Sequence, residues 1–342
     1  MHSDISNRYT ILISEMKMKK AFTLIELMVA IALLAMVLSF SGVIFKLSIN
    51  SHRTSGANTD IMQKLRAVTD QLNIDFRKLP KDAYLILHCE EQIGRIEYED
   101  STATGNFRAD RIYYFCTGDF QSWYDDNVKA SIARVYFGHD GISLFDLIMN
   151  KPVSRWNLAR DIVLLTPGQI IPAPPPIVDY NDISYAACVA NTPLILADAD
   201  RLLSPPLTGL PPVINIRDDA NDVRRLMCEN VGEIRIEWSD GTRYPSTHLN
   251  PDLRNKLVWF GYSTPKISWI LINGLPLDPV YTTIEDLSNM PPPETGFYRA
   301  SWTPTIPKQY WPKALKFTFT LYDSKGILEK GRTFTHIVYL EN

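Results

Sequence analysis

Glu26 stands in the stretch Lys19-Lys-Ala-Phe-Thr-Leu-Ile-Glu-Leu-Met-Val-Ala30, the one acidic group in an otherwise apolar run. Downstream, Leu27 to Phe45 give nineteen residues without a formal charge, and Phe22 to Ile25 lengthen the stretch upstream. A charged side chain well inside a bilayer costs roughly 2.5–3.5 kcal/mol on insertion scales, so such groups tend to be paired and functional. Cleavage of the chain before Phe22 would give that residue a free α-ammonium one helical turn from Glu26. An ammonium there, on the same chain or a neighbouring copy, neutralises the carboxylate, and in low dielectric the attraction is strong. An unpaired Glu26 would therefore drive chains to associate. The plainer alternative is a carboxylate that snorkels to the membrane surface.

No other residues form a chemical constellation. The six histidines, His2, His52, His88, His139, His248 and His336, make no HExxH motif and no close pair. A GxSxG elbow, a Walker loop and a Rossmann glycine string are all absent. The chain is accordingly expected to be no enzyme, with no catalytic residue and no cofactor. Asp198 with Asp200, and the run Asp218-Asp-Ala-Asn-Asp222, hold oxygen donors at short spacing. Hard cations take several carboxylates, but a solvated acidic loop is the simpler reading, and no metal site is assigned. Cys89, Cys116, Cys188 and Cys228 lie far apart without a CxxC pair, which argues against a zinc ribbon or a thioredoxin-like motif. An exported body permits one or two disulfides and a cytosolic one favours buried thiols; the count does not choose. A formal charge of −3 leaves no polybasic face, so nucleic acid is not an expected partner.

The elements that must position Glu26 are legible around it. At about 1.5 Å per residue the apolar run is long enough to cross a hydrocarbon core of about 30 Å. Lys17, Lys19 and Lys20 precede it, which keeps the start cytoplasmic and exports the chain downstream. Met1, Met16 and Met18 are alternative starts. Ile61, Leu65, Val68, Leu72 and Phe76 then step by four, three, four and four along one helical face. Leu79-Pro80 closes the helix, and Gly42 and Gly56 are places for it to bend. One helix from about Phe22 to Leu79 is expected, its first half in the membrane and its second packed on a globular head.

The head reads as strands. Tyr84–Leu87 and Ile112–Phe115 are short apolar runs of β-formers, and Val231–Trp238, Leu315–Tyr322 and Thr333–Tyr339 alternate with period two. Such alternation predicts antiparallel sheets with one wet face. Twenty-two of the 23 prolines fall between Pro152 and Pro312, a density that predicts stiff surface loop rather than long helices or central strands.

The string Ala21-Phe22-Thr23-Leu24-Ile25-Glu26-Leu27, after lysines and before a long apolar helix, resembles the class III leader of type IV prepilins and pseudopilins. The resemblance implies a pilin-like α+β fold, a long N-terminal helix packed on an antiparallel β-sheet head. It further implies cleavage by a prepilin peptidase between Ala21 and Phe22, N-methylation of Phe22, and pairing of Glu26 with a terminal ammonium during subunit docking. That family usually carries glycine before the cut; Ala21 stands there here, and slower processing is expected. A signal-peptidase site at Ser39-Phe40-Ser41 is the rival, but it explains neither the leader string nor Glu26. Three further stretches look like the J-type minor pseudopilins of type II secretion: Val68–Arg77, Gly232–Gly241, and the terminal hairpin Pro312–Tyr322 with Gly331–Tyr339.

The expected organisation is a leader at 1–21, a transmembrane half-helix at 22–45, an amphipathic half at 46–79 and a β-rich periplasmic head at 80–342. Pro-rich insertions occupy about 152–225 and 242–311 of that head. The resemblance implies a minor pseudopilin at or near the tip of a pseudopilus, anchored by a single pass in the inner membrane. Its partners would be prepilin peptidase and other pseudopilins or pilins, met through the N-terminal helix. Two alternatives stand beside it: a minor pilin of a type IV pilus or DNA-uptake system, and a membrane-anchored periplasmic enzyme or binding domain.

Overall fold

A computed structural model describes residues 23–80, 82–95, 104–140, 152–169, 179–193, 195, 199, 222–248, 250–262, 271–272, 275–276, 297–328 and 330–340. One helix, α1 (Leu24–Arg77), leads the chain. The chain divides into two compact units between Ser55 and Gly56.

In the first unit α1 is built from Leu, Met and Ala, residues that lose little rotamer freedom in a helix, and its side chains are exposed from Leu24 to Ser55. The second unit begins with the amphipathic turns of α1. Ile61, Val68, Leu72 and Phe76 are buried in its core, and Leu65 packs against them half-buried, as the four-and-three spacing predicts. The helix ends two residues before Leu79. Lys78 and Leu79 donate to Asp75 and Phe76 in a tightened last turn, because the residue before Pro80 is pushed out of the helical region.

Thirteen β-strands come next among the described residues: β1 (Leu85–Arg95), β2 (Thr104–Arg108), β3 (Arg111–Gln121), β4 (Lys129–His139), β5 (Asn157–Leu165), β6 (Tyr180–Asn181), β7 (Leu226–Glu229), β8 (Val231–Ser239), β9 (Leu271–Ile272), β10 (Leu275–Pro276), β11 (Phe297–Trp302), β12 (Ala314–Leu321) and β13 (Arg332–Tyr339). The larger sheet runs β11-β1-β3-β4-β5-β6, with β2 added on β1 and β7 on β5. The smaller runs β13-β12-β8. Every pairing in them is antiparallel except the two-residue contact of β5 with β6. The α+β class with a long helix and an antiparallel head is therefore the one observed.

Both sheets contribute to the core that covers the apolar stripe of α1. The Phe76 ring lies 4.7 Å from that of Tyr114 on β3 and 5.6 Å from that of Phe317 on β12. Arg108 and Asp110 tie the sheets together: the buried Asp110 carboxylate accepts from Arg108 Nη2 at 2.6 Å and from the Ile236 N–H of β8 at 2.6 Å. Burial, opposed by Arg108, pushes the Asp110 carboxyl up to about 6. Gly232 is the second residue of β8, where a Cβ would stand 2.6 Å from the Tyr322 ring and 2.8 Å from Val153. That contact gives the glycine of the 232–241 stretch a steric reason.

The wet face holds for β8 and β12, where Ile234, Ile236, Phe317 and Phe319 are buried between more exposed polar residues. β3, which contains the apolar run Ile112–Phe115 rather than an alternating pattern, is buried continuously from Arg111 to Cys116. Its second face, with Tyr113 and Phe115, is covered by a cluster that includes Cys188, Ile195 and Ala199, and a sheet covered on both faces needs no alternation. The short helix α2 (Tyr185–Ala190) supplies part of that cover, capped by Ser184 Oγ accepting from Ala187 N–H. One expectation is corrected, that of the Pro-rich region 152–225, which excluded central strands. It contains β5, a strand paired on both sides, with β4 on one and β6 and β7 on the other. Between Pro152 and Pro167 there is no proline, so the regional density misstates this window.

Candidate functional site

Glu26 sits in the first turn of α1 and closes a capping box. Thr23, just ahead of the helix, presents its hydroxyl to the Glu26 N–H at 3.2 Å. In return Glu26 Oε2 accepts from the Thr23 N–H at 2.9 Å and from the Thr23 hydroxyl at 3.0 Å. Two N–H groups that helix geometry orphans are thereby satisfied. The carboxylate also meets the positive end of the helix dipole, which favours its charge. Thr23 is the residue that a reading of charged groups alone misses. Its signal, a threonine three residues before a glutamate at the head of an apolar run, is present in the sequence.

Ala21 and Phe22, the residues assigned to cleavage and methylation, lie outside the described residues, as do the leader and its lysines. Beyond Glu26 the helix offers an apolar surface on all sides. Leu24 is 74% exposed, Leu34 58% and Phe45 68%. Ser39 and Ser41 are the polar interruptions, and the Ser39 hydroxyl donates to the Ala35 carbonyl at 2.9 Å within its own helix, so Ser39 needs no outside partner. The helix is long and apolar enough to cross a membrane.

A second polar centre fixes the other end of α1, within the head. Asp75, buried, accepts from Arg160 Nε and Nη2 of β5 at 2.7 Å each. It also accepts from the Tyr114 hydroxyl at 2.6 Å and from Gln71 at 2.8 Å. Burial and the adjacent Asp75 charge hold the Tyr114 phenol well above its usual range. Burial works against the Arg160 charge, but Asp75 outweighs it and raises the guanidinium. A bidentate pair with two further donors fixes the rotation of α1 as well as its position. Lys64 adds a third tie, its Nζ lying 3.1 Å from Asp60 and 3.3 Å from the Tyr322 carbonyl.

The remaining candidates stay apart. Among the described residues no three His, Cys, Asp or Glu side chains converge as a metal site. Asp198, Asp200 and residues 218–221 lie outside the described residues. Cys89, Cys116 and Cys228 are buried thiols, and burial pushes Cys116 up to about 12 and Cys228 up to about 11. Thiols so protonated are poor nucleophiles. His139, also buried, meets the Val231 carbonyl at 3.0 Å, a structural rather than a catalytic setting.

Residues 16–42 match the family model of the prokaryotic N-terminal methylation motif. No curated protein and no solved structure matches the chain. The motif carries a pilin-like leader, and with the apolar helix it describes a membrane-anchored chain whose motif family consists of structural subunits processed by prepilin peptidase.

Proposed function

We propose that the protein is a minor pseudopilin-like subunit, cut between Ala21 and Phe22, methylated on Phe22 and assembled at or near the tip of a type II secretion pseudopilus. The observation that carries this reading is the methylation motif at residues 16–42 lying at the start of an exposed apolar helix. In it Glu26 exchanges its partner. In the separate subunit its charge is held by Thr23; in the assembly it takes the α-ammonium of a neighbouring chain's first residue, at a position where low dielectric makes the pairing strong. The head stays in the periplasm, single-pass anchored in the inner membrane, and the protein does no catalysis of its own. Likeness of Val68–Arg77, Gly232–Gly241 and the terminal hairpin to J-type minor pseudopilins favours secretion over a type IV pilus or DNA-uptake machine.

Intact mass spectrometry of the membrane-extracted protein, with and without prepilin peptidase, tests the processing. The expected mature chain begins at methylated Phe22, and only when the peptidase is present. A chain beginning at Gly42, or one retaining its lysines, would overturn the reading. Loss of secretion without loss of twitching on deletion separates the two machines.

A further inference from the structure

Thr23 and Glu26 decide where α1 begins, just downstream of the bond between Ala21 and Phe22. Leu24 is the first helical residue, and the Leu27 N–H donates to the Thr23 carbonyl at 3.2 Å. In an α-helix each N–H bonds the carbonyl four residues back. A helix running further upstream would therefore need the Glu26 N–H for the Phe22 carbonyl and the Thr23 N–H for the Lys19 carbonyl. Both donors are already engaged. The Glu26 N–H goes to the Thr23 hydroxyl at 3.2 Å, and the Thr23 N–H goes to Glu26 Oε2 at 2.9 Å. Besides satisfying two orphaned donors, the box withdraws two that continuation of the helix requires.

The upstream sequence makes such a stop necessary. Residues 15–22 read Glu-Met-Lys-Met-Lys-Lys-Ala-Phe, seven strong helix formers and a phenylalanine. Between Ser14 and Thr23 there is no glycine or proline and no Ser, Thr, Asp or Asn to cap a helix. Ala21, directly before the cut, is the best helix former of all.

We propose that Thr23 is a positioning residue for the cut: with Glu26 it stops α1 short of the Ala21–Phe22 bond and leaves the Ala21 carbonyl open to attack. In a continued helix that carbonyl would accept from the Ile25 N–H, and a peptidase would first have to unwind the turn. The chemistry of the cut is plain hydrolysis. Water adds across the Ala21–Phe22 amide, the C–N bond breaks, and the products are the Ala21 carboxylate and the Phe22 α-ammonium. The box acts before that ammonium exists, so the later pairing of Glu26 is a separate event. The inference rests on the reading of the chain as a prepilin peptidase substrate, and it assigns the residue that presents the bond.

The test follows cleavage of the full chain in detergent micelles by purified prepilin peptidase. Thr23→Ala should be cut roughly fivefold more slowly than wild type, the equilibrium weight of one lost cap. Thr23→Ser keeps the hydroxyl and should be cut at the wild-type rate. Glu26→Gln keeps the box and should also be cut normally, even where it fails to assemble. Ala21→Gly should speed the Thr23→Ala chain more than the chain that retains Thr23, because glycine supplies the missing stop. Residues 21 and 22 form the one Ala-Phe pair in the chain. Isotope labels on alanine carbonyls and phenylalanine nitrogens therefore isolate the Ala21 carbonyl in NMR spectra, and in Thr23→Ala its shift should move to the helical value. Equal cutting of wild type and Thr23→Ala would overturn the inference and leave the assembly reading standing. So would Thr23→Ser as slow as Thr23→Ala, an equal gain from glycine in both backgrounds, or an unmoved Ala21 carbonyl. A wild-type chain left uncut between Ala21 and Phe22 would overturn both.

Discussion

At Thr23 and Glu26 two side chains do one job in the free helix and only one of them carries charge, so their substitutions separate. Thr23→Ala removes the cap and should weaken the helix start by about 1 kcal/mol, read as a helix boundary that moves off Leu24 in micelles. Glu26→Ala should abolish assembly while the head keeps its near-ultraviolet dichroism; normal assembly of that variant would sink the pairing role. Asp75 is a different kind of residue. Asp75→Ala leaves Arg160 buried without its carboxylate, and breaking a buried pair from one side costs roughly 3–5 kcal/mol, measurable by urea denaturation. The double change with Arg160→Met should cost less than the sum. Asp110 gives a pH signature. Its folded pKa, raised to about 6 from the 3.8 of a free aspartate, makes the folded state hold the extra proton. That contribution is present in acid and lost as pH rises through about 6. Asp110→Asn should therefore flatten the fall in melting temperature between about pH 4 and 6 relative to wild type. Of these residues Glu26 was legible from its apolar surroundings and Thr23 from the spacing of a capping box. Asp75 was not: its partner Arg160 is 85 positions away, and no local pattern joins them.

At the scale of elements, legibility tracked how many environments a segment crosses. The stripe of α1 and the strands β8, β12 and β13 each keep one face to the core along their length, so one period describes them. β4 does not. Its first half alternates between exposed and half-buried residues and its second half, Val135 to His139, is buried throughout, so no single period fits Lys129–His139. β5 was hidden by counting prolines over a region wider than the strand. The stripe itself supports a contrast. Leu72→Ala should cost roughly 2–5 kcal/mol, the range for emptied core sites, whereas Met62→Ala, at a position 54% exposed on the same helix, should stay within about 0.5 kcal/mol. Equal effects in thermal melts would mean that the helix is rotated from the position described.

For the molecule as a whole, the division between Ser55 and Gly56 predicts where it can be cut. A chain beginning at Gly56 should be folded and soluble without detergent, with the melting temperature of the full protein. One beginning at Pro80 lacks Ile61, Val68, Leu72 and Phe76 and should expose their seat on both sheets, aggregating or binding hydrophobic dye. The antiparallel class was readable from alternation and turns, but the sheet order was not, because it is written in pairings between distant segments. Leu85 of β1 pairs with Trp302 of β11, and Phe76 rests on Phe317. A chain that emerges N-terminus first therefore presents its amphipathic helix and the flank of β1 long before their partners arrive. Contact order this high slows folding, and the waiting surfaces are open to wrong neighbours. The unfinished head is thus the stage most dependent on a holding chaperone, and a premature stop even a few dozen residues from the end should release a sticky chain rather than a slightly shortened protein.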